Sequence, residues 1–209
     1  DNIMGPGFLN KINAAFESGY IAVQGHRTAK NLNNSWAILD AISEEINNHI
    51  FRKGHRALGF SSGLIGSGMA FDYHFFKNTM AKVHAVGGFD KELELKLLKS
   101  GHTIEYLNHA LVLDEKIQKS QDFQNQRRRW ISTQFIYFRK YFFSGLKELF
   151  LRGNIDFFDK LYQMVSPPRI LLLGIVSLIT ICYGLIDVFD VSFKSHIDPS
   201  FWYITFSIT

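Results

Sequence analysis

Apolar positions in the first 115 residues alternate between helical and strand-like spacing. Phe8, Leu9, Ile12 and Phe16 recur at helical spacing, and Gly19 closes that segment. Tyr20-Ile21-Ala22-Val23 is a short buried-strand candidate, followed by a polar, loop-like stretch over 25–34. Ser35 is placed to cap a helix whose Trp36, Leu39, Ile42, Ile46 and Ile50 form one apolar face, with Gly54 as its stop. Residues 58–71 are rich in Gly and Ser with strand-like pieces, and 90–100 reads as a helix with Leu93 and Leu97 one turn apart, ended by Gly101. Residues 103–107 and 110–113 read as strands. Such alternation predicts an α/β layer architecture.

The pattern then changes. Residues 116–130 are polar and basic. Over 131–166, Phe135, Tyr137, Phe138, Tyr141, Phe142, Phe143, Leu146, Leu149 and Phe150 mix with Arg139, Lys140, Lys147 and Arg152. That mixture describes amphipathic helices lying in a membrane interface, with packing against a soluble domain as the alternative. Pro167-Pro168 breaks the chain, and residues 170–186 follow without a charge. The expectation is a transmembrane helix over 167–190, then a loop and the start of a second one over 191–209. Lys160 and Arg169 on the near flank, against Asp187, Asp190, Lys194 and Asp198 beyond, place the soluble part in the cytoplasm by the positive-inside rule.

Composition narrows the classes. Hydrophobic residues make up 46% and charged residues 20% of 209, which excludes a disordered chain. A formal net charge of +4 is too mild for nucleic-acid binding but suits anionic lipid or a diphosphate. Cys182 is the only cysteine, so neither an internal disulfide nor a cysteine-based zinc site exists within the chain. The chain starts at Asp1 and ends at Thr209 inside an apolar stretch, and is read as a fragment cut at both ends.

Candidate chemistry lies in three places. Asp90 follows Gly87-Gly88-Phe89 and opens a helix, where the helix start favours a negative charge and the glycines admit a bulky ligand. A plain helix cap is the alternative. Glu92 and Glu94 read as a solvated helix face, with Glu92 pairing to Lys96. Gly66-Ser67-Gly68 suits a loop lying against a ligand, or a glycine-kinked strand; it has neither the Gly-Lys-Ser/Thr of a P-loop nor a dinucleotide fingerprint. The third place is Gln126-Arg127-Arg128-Arg129-Trp130. Lipid attraction accounts for Arg127 and Arg128, but not for Gln126 and its spacing to Arg129 and Trp130. No hydrolase elbow or His-Glu-x-x-His zinc pattern is present.

Gly-Gly-Phe-Asp, then Leu-x-Leu-Lys-Leu, then Gln-x-x-Arg-Trp, then an apolar segment resembles the membrane-bound family 2 glycosyltransferases, whose relatives include cellulose, chitin and hyaluronan synthases. The resemblance spans roughly residues 1–190. It implies the C-terminal part of a GT-A, Rossmann-like catalytic domain over 1–130, followed by interfacial helices and a transmembrane helix, with the nucleotide-base pocket outside this chain. The family's base is placed at Asp90. The family has Glu where Phe89 stands here, and Glu92 is the fallback base. Gln126, Arg129 and Trp130 match the residues that face the donor diphosphate and stack on the acceptor sugar. Asp1 resembles the last aspartate of the Asp-x-Asp motif and would ligate Mg²⁺ or Mn²⁺. Gly66, Ser67 and Gly68 stand where the family lines its acceptor site.

The expected function is an inverting glycosyltransferase at the cytoplasmic face of the inner membrane, in a multi-pass protein. Its expected partners are a nucleotide-sugar donor (a UDP-sugar first), a glycan or lipid-linked acceptor and membrane lipid, with no nucleic acid. A non-catalytic, membrane-anchored α/β binding protein is the alternative. A lipid-linked phosphosugar transferase would need more carboxylates beside the apolar segment than the chain carries.

Overall fold

The structure is a computed structural model that describes residues 2–83, 88–117, 119–166 and 169–188. Its elements run β1 (Ile3–Met4), α1 (Phe8–Glu17), β2 (Ala22–Ala29), α2 (Ser35–Asn47), a π-helical segment (Asn48–Gly54), α3 (His55–Ala57), β3 (Met69–Phe71), α4 (Tyr73–Met80), α5 (Phe89–Lys99), β4 (Glu105–Asp114), α6 (Ser120–Arg152), α7 (Ile155–Val165) and α8 (Arg169–Val188). Two compact units result, Asp1–Val165 and Ser166–Thr209.

The sheet of the first unit has the order β1-β4-β2-β3. β2 and β4 pair in parallel, while β1 and β3 pair antiparallel at the two edges. This mixed sheet carries the expected α/β character. Two strand readings change. The polar stretch after Val23 continues β2 to Ala29, and the two strands expected over 103–113 are one strand, β4, with a register shift opposite Gly25 and His26. Polar side chains disguised β2, since Gln24 is fully buried and satisfied by hydrogen bonds to the loop before β3.

One apolar cluster joins Phe8, Ile12 and Ala15 of α1 to Val23, Ala110 and Val112 of the sheet. Spacing by four and three puts those α1 residues on one stripe. A second cluster joins Leu93, Leu95, Leu97 and Leu98 of α5 to Tyr137 and Tyr141 of α6 and Phe157, Leu161 and Met164 of α7. α5 is covered on several sides, so Glu92 and Glu94 are buried too, not solvated as their spacing implied.

The apolar face expected on α2 is present, and it points outward. Trp36, Leu39, Ile42, Ile46 and Ile50 form an exposed stripe, while Ala37, Ala41, Glu44 and Asn48 face inward. Periodicity identifies the stripe but not which side meets the protein. The cap is Asn34, whose side chain accepts the Ala37 N–H at 2.8 Å, one residue before the expected Ser35.

The boundary placed at residue 130 falls inside α6, which runs unbroken for 33 residues. One face of α6 and α7 belongs to the second cluster, and Phe135, Phe143, Phe150, Leu151 and Tyr162 are exposed on the rest. The two helices meet closely at Gly145, where an added Cβ would collide with Leu161 Cδ1. Leu161 is buried and has little room to retreat. Gly145→Val is expected to destabilise the unit by about 1–3 kcal/mol through overpacking, read as a lowered urea midpoint.

α8 covers most of the apolar segment, but among the described residues no helix is long and apolar enough to cross a membrane. The transmembrane helix expected over 167–190 is thus not found among the described residues. Arg169 and Asp187 bound an uncharged run of 17 residues. Pro167-Pro168 and the second span expected within 191–209 lie outside the described residues.

Candidate active site

A cleft of about 400 Å³ opens between α2, the loop over residues 63–68, the start of α5 and the first half of α6. Its lining includes Asp90, Gln126, Arg129, Trp130 and Gly66. Two sequence motifs 36 residues apart, Asp90 and Gln126, thus reach one cavity.

Each wall has a local cause. Asp90 sits in the first turn of α5, beyond the N-cap Gly88. A Cβ at Gly88 would lie 2.5 Å from Asp90 Oδ1, so only glycine leaves the carboxylate that place. A Cβ on Gly66, across the cleft, would lie 3.5 Å from Oδ2, and Gly66 has φ +78°, a conformation suited to glycine.

The loop carrying Gly66 is tied down along its length. Arg52 donates to the Gly63 carbonyl, and the Leu64 N–H donates to Glu94 Oε1 at 3.0 Å. Lys91 donates to the Leu64 carbonyl at 2.9 Å, and Arg27 to that of Ile65. Gln24 accepts the Ile65 N–H and donates to the Ser67 carbonyl, and the Gly25 N–H donates to the Gly68 carbonyl at 2.7 Å. Of the three loop residues expected at the site, only Gly66 lines the cleft. Ser67 and Gly68 contribute backbone carbonyls to these bonds, and the Ser67 hydroxyl is buried without a hydrogen-bond partner among the described residues.

Glu92, the fallback base, is not part of the lining. Its carboxylate turns to α6, with Lys140 Nζ at 3.0 Å, the Tyr141 hydroxyl at 3.4 Å and Lys96 at 3.6 Å. Burial alone would raise this carboxyl, but Lys140 and then Lys96 outweigh it and hold it below its ordinary value. The expected Lys96 pairing is present, in a buried setting. Glu94 is likewise engaged, by Lys160 at 2.7 Å and Lys91 at 3.1 Å. Burial opposes its charge, and these two cations reverse that and hold it low.

On α6, one turn brings Gln126, Arg127, Arg129 and Trp130 to the cleft with Thr133 and Gln134. Gln126 Oε1 is shielded from solvent and accepts no hydrogen bond among the described residues. An amide oxygen in that condition favours a ligand donor. Arg127, assigned to lipid or solvent by the sequence, instead lines the cleft and pairs with Asp40 at 3.3 Å.

Sequence reasoning missed the α2 wall and the floor. Asp40, Glu44 and Asn47 line the cleft from α2, and Arg27 and Arg52 from below. Their signal was present, since 40, 44 and 47 repeat at helical spacing opposite the apolar stripe. Burial lowers the Arg52 guanidinium and Glu44 pulls it back up. Apart from Arg127 and Asp40, which pair with each other, the lining holds four cationic side chains (Arg27, Arg52, Lys91 and Arg129) against two carboxylates, Glu44 and Asp90. That balance suits an anionic ligand such as a diphosphate.

A model of the family described as Glycosyltransferase like family 2 matches residues 1–133. The chain belongs to that family. No curated protein matches it significantly. This member is therefore a glycosyltransferase, and the non-catalytic alternative is set aside. Its curled mixed sheet with flanking helices fits a GT-A glycosyltransferase domain, and such a domain implies a nucleotide-sugar donor and an acceptor. The match ends at Thr133, within α6 and just past Trp130.

No group of three or more metal-ligating side chains occurs among the described residues. Asp1, the expected metal ligand, lies outside them.

Proposed function

We propose that this glycosyltransferase inverts the anomeric centre and uses the α2–α6 cleft as its transfer site. Asp90 takes the proton of the acceptor hydroxyl, and the oxygen attacks the anomeric carbon from the face opposite the diphosphate. The bond from that carbon to the phosphate oxygen breaks, and its electron pair leaves with the nucleoside diphosphate. Arg129 stabilises the developing charge, Gln126 orients a donor or acceptor hydroxyl, and the Trp130 indole stacks on a sugar ring. The observation that carries this reading is the meeting of Asp90, Gln126, Arg129 and Trp130 in one cationic cleft.

The donor is proposed to be a UDP-sugar and the acceptor a glycan or a lipid-linked sugar. Exposed Phe143, Phe150, Leu151 and Tyr162 near Arg139, Lys147 and Arg152 support work at the cytoplasmic surface of the inner membrane. A divalent Mg²⁺ or Mn²⁺ belongs to the proposal through Asp1 alone, and no step is derived through it.

The test is release of nucleoside diphosphate by the full-length protein from a panel of nucleotide sugars with Mn²⁺ and candidate acceptors. Release with a UDP-sugar is expected, lost with EDTA and restored by added Mn²⁺. Turnover that survives EDTA removes the metal, and silence across the whole panel sinks the reading of the donor.

A further inference from the structure

Arg127 occupies an unassigned position inside the Gln-x-x-Arg-Trp pattern, yet its surroundings are specific. One guanidinium nitrogen lies 3.3 Å from Asp40 Oδ1 and 3.3 Å from Ser43 Oγ, both on α2. The guanidinium carbon lies 5.2 Å from the Trp130 ring centre and 4.9 Å from that of Phe123. Phe123 meets Trp36 of α2 with ring centres 5.7 Å apart. Asp40, Arg127 and Trp130 all line the cleft, and Trp130 is 37% exposed there.

We propose that Arg127 is a positioning residue for acceptor recognition: anchored by Asp40 and Ser43, it holds the Trp130 indole in the orientation against which an acceptor sugar stacks. The proposal rests on the cleft being the transfer site. An indole at the edge of a cleft gains little from stacking if it must first be ordered, since that ordering opposes binding. A cation against its face removes that cost beforehand. The planar guanidinium does this while its edge bonds to α2, a double role the point charge of lysine does not fill. Arg127 thereby joins the polar wall of α2 to the stacking platform of α6.

A tie between helices with no further role would lower stability and disturb both substrates alike. Positioning of Trp130 predicts an effect on the acceptor alone. In the full-length protein, Arg127→Ala is expected to raise the acceptor KM about tenfold, with donor KM and donor hydrolysis without acceptor kept within about twofold. Arg127→Lys is expected to resemble Arg127→Ala because it lacks the planar stack. In fluorotryptophan-labelled protein, the Trp130 resonance, assigned with Trp130→Phe, is expected to shift in both variants. Asp40→Asn gives the same KM split in a milder form and carries the test if Arg127→Ala does not fold. An unmoved acceptor KM, a donor KM rising in step, or an unmoved Trp130 resonance overturns the proposal. Normal transfer by Trp130→Ala would overturn it differently, by removing the cleft from the reaction. A defective Trp130→Ala beside a normal Arg127→Ala would remove Arg127 alone.

Discussion

Asp90→Asn is expected to lower kcat by about 10²–10⁴-fold while donor binding persists, because the substitution keeps the shape of the side chain and deletes only its capacity to take a proton. Its place explains the size of the effect. Asp90 is the carboxylate that the cleft shares with Gly66 and Gly88, and a Cβ on Gly88 would crowd its Oδ1. Asp40 and Glu44 also line the cleft, but Asp40 pairs with Arg127, and Glu44 pairs with Arg27 and Lys116. Glu92→Gln is the informative companion. It is expected to leave kcat within a few-fold and to lower stability instead, since Lys140 and Lys96 lose their shared anion. Single-turnover transfer together with donor titration checks both variants. Near-normal turnover in Asp90→Asn would take the base away from Asp90.

Lys160→Met is expected to destabilise the first unit by about 3–5 kcal/mol at neutral pH, a large part of the ~5–15 kcal/mol typical of a domain. Lys160 comes from α7 and meets Glu94 of α5 at 2.7 Å, and both are buried. Removing the ammonium strands a carboxylate with Lys91 and the Leu64 N–H as its remaining partners. The opposite change, Glu94→Gln, is expected to cost less. Burial already pushes the Lys160 ammonium below its ordinary value, with Glu94 pulling it back, so without Glu94 the lysine sheds its proton more readily.

The pH dependence follows from the Glu94 carboxyl being held below its usual 4.5. A depressed carboxyl contributes stability above its unfolded value and loses it as pH falls through the lower folded value. The deficit of Lys160→Met is therefore expected to be full at pH 7 and to shrink below about pH 4. Urea titrations of wild type and variant across that range read it directly. An equal deficit at every pH would mean that lost packing, not the ion pair, sets the cost.

How much of this was legible before the structure differs by element. α1 and α5 were readable because their leucines, isoleucines and phenylalanines fall at helical spacing between glycines that end the turn. Gln126, Arg129 and Trp130 were readable because their spacing within one helical turn puts them near one face, whatever that face meets. α2 misled because a stripe of apolar residues says nothing about where the protein lies, and here the acidic and amide face turns inward to make a wall of the cleft. Glu92 and Glu94 misled because their partners, Lys140 and Lys160, are 48 and 66 residues away along the chain. Arg127 was undervalued for the same reason: its anchor, Asp40, lies 87 residues earlier.

The length of α6 gives it a mechanical property. Trp130 and Gly145 are 15 residues apart on one continuous helix. At about 1.5 Å per residue that separation is roughly 22 Å. A rod pivoting where Gly145 rests on Leu161 is a lever, and a tilt of about 5° swings the indole by about 2 Å. Misplacement by about 1 Å is enough to change a transfer rate by orders of magnitude. On the proposed role of Trp130, the alignment of its indole would thus depend in part on a contact far from any reacting atom.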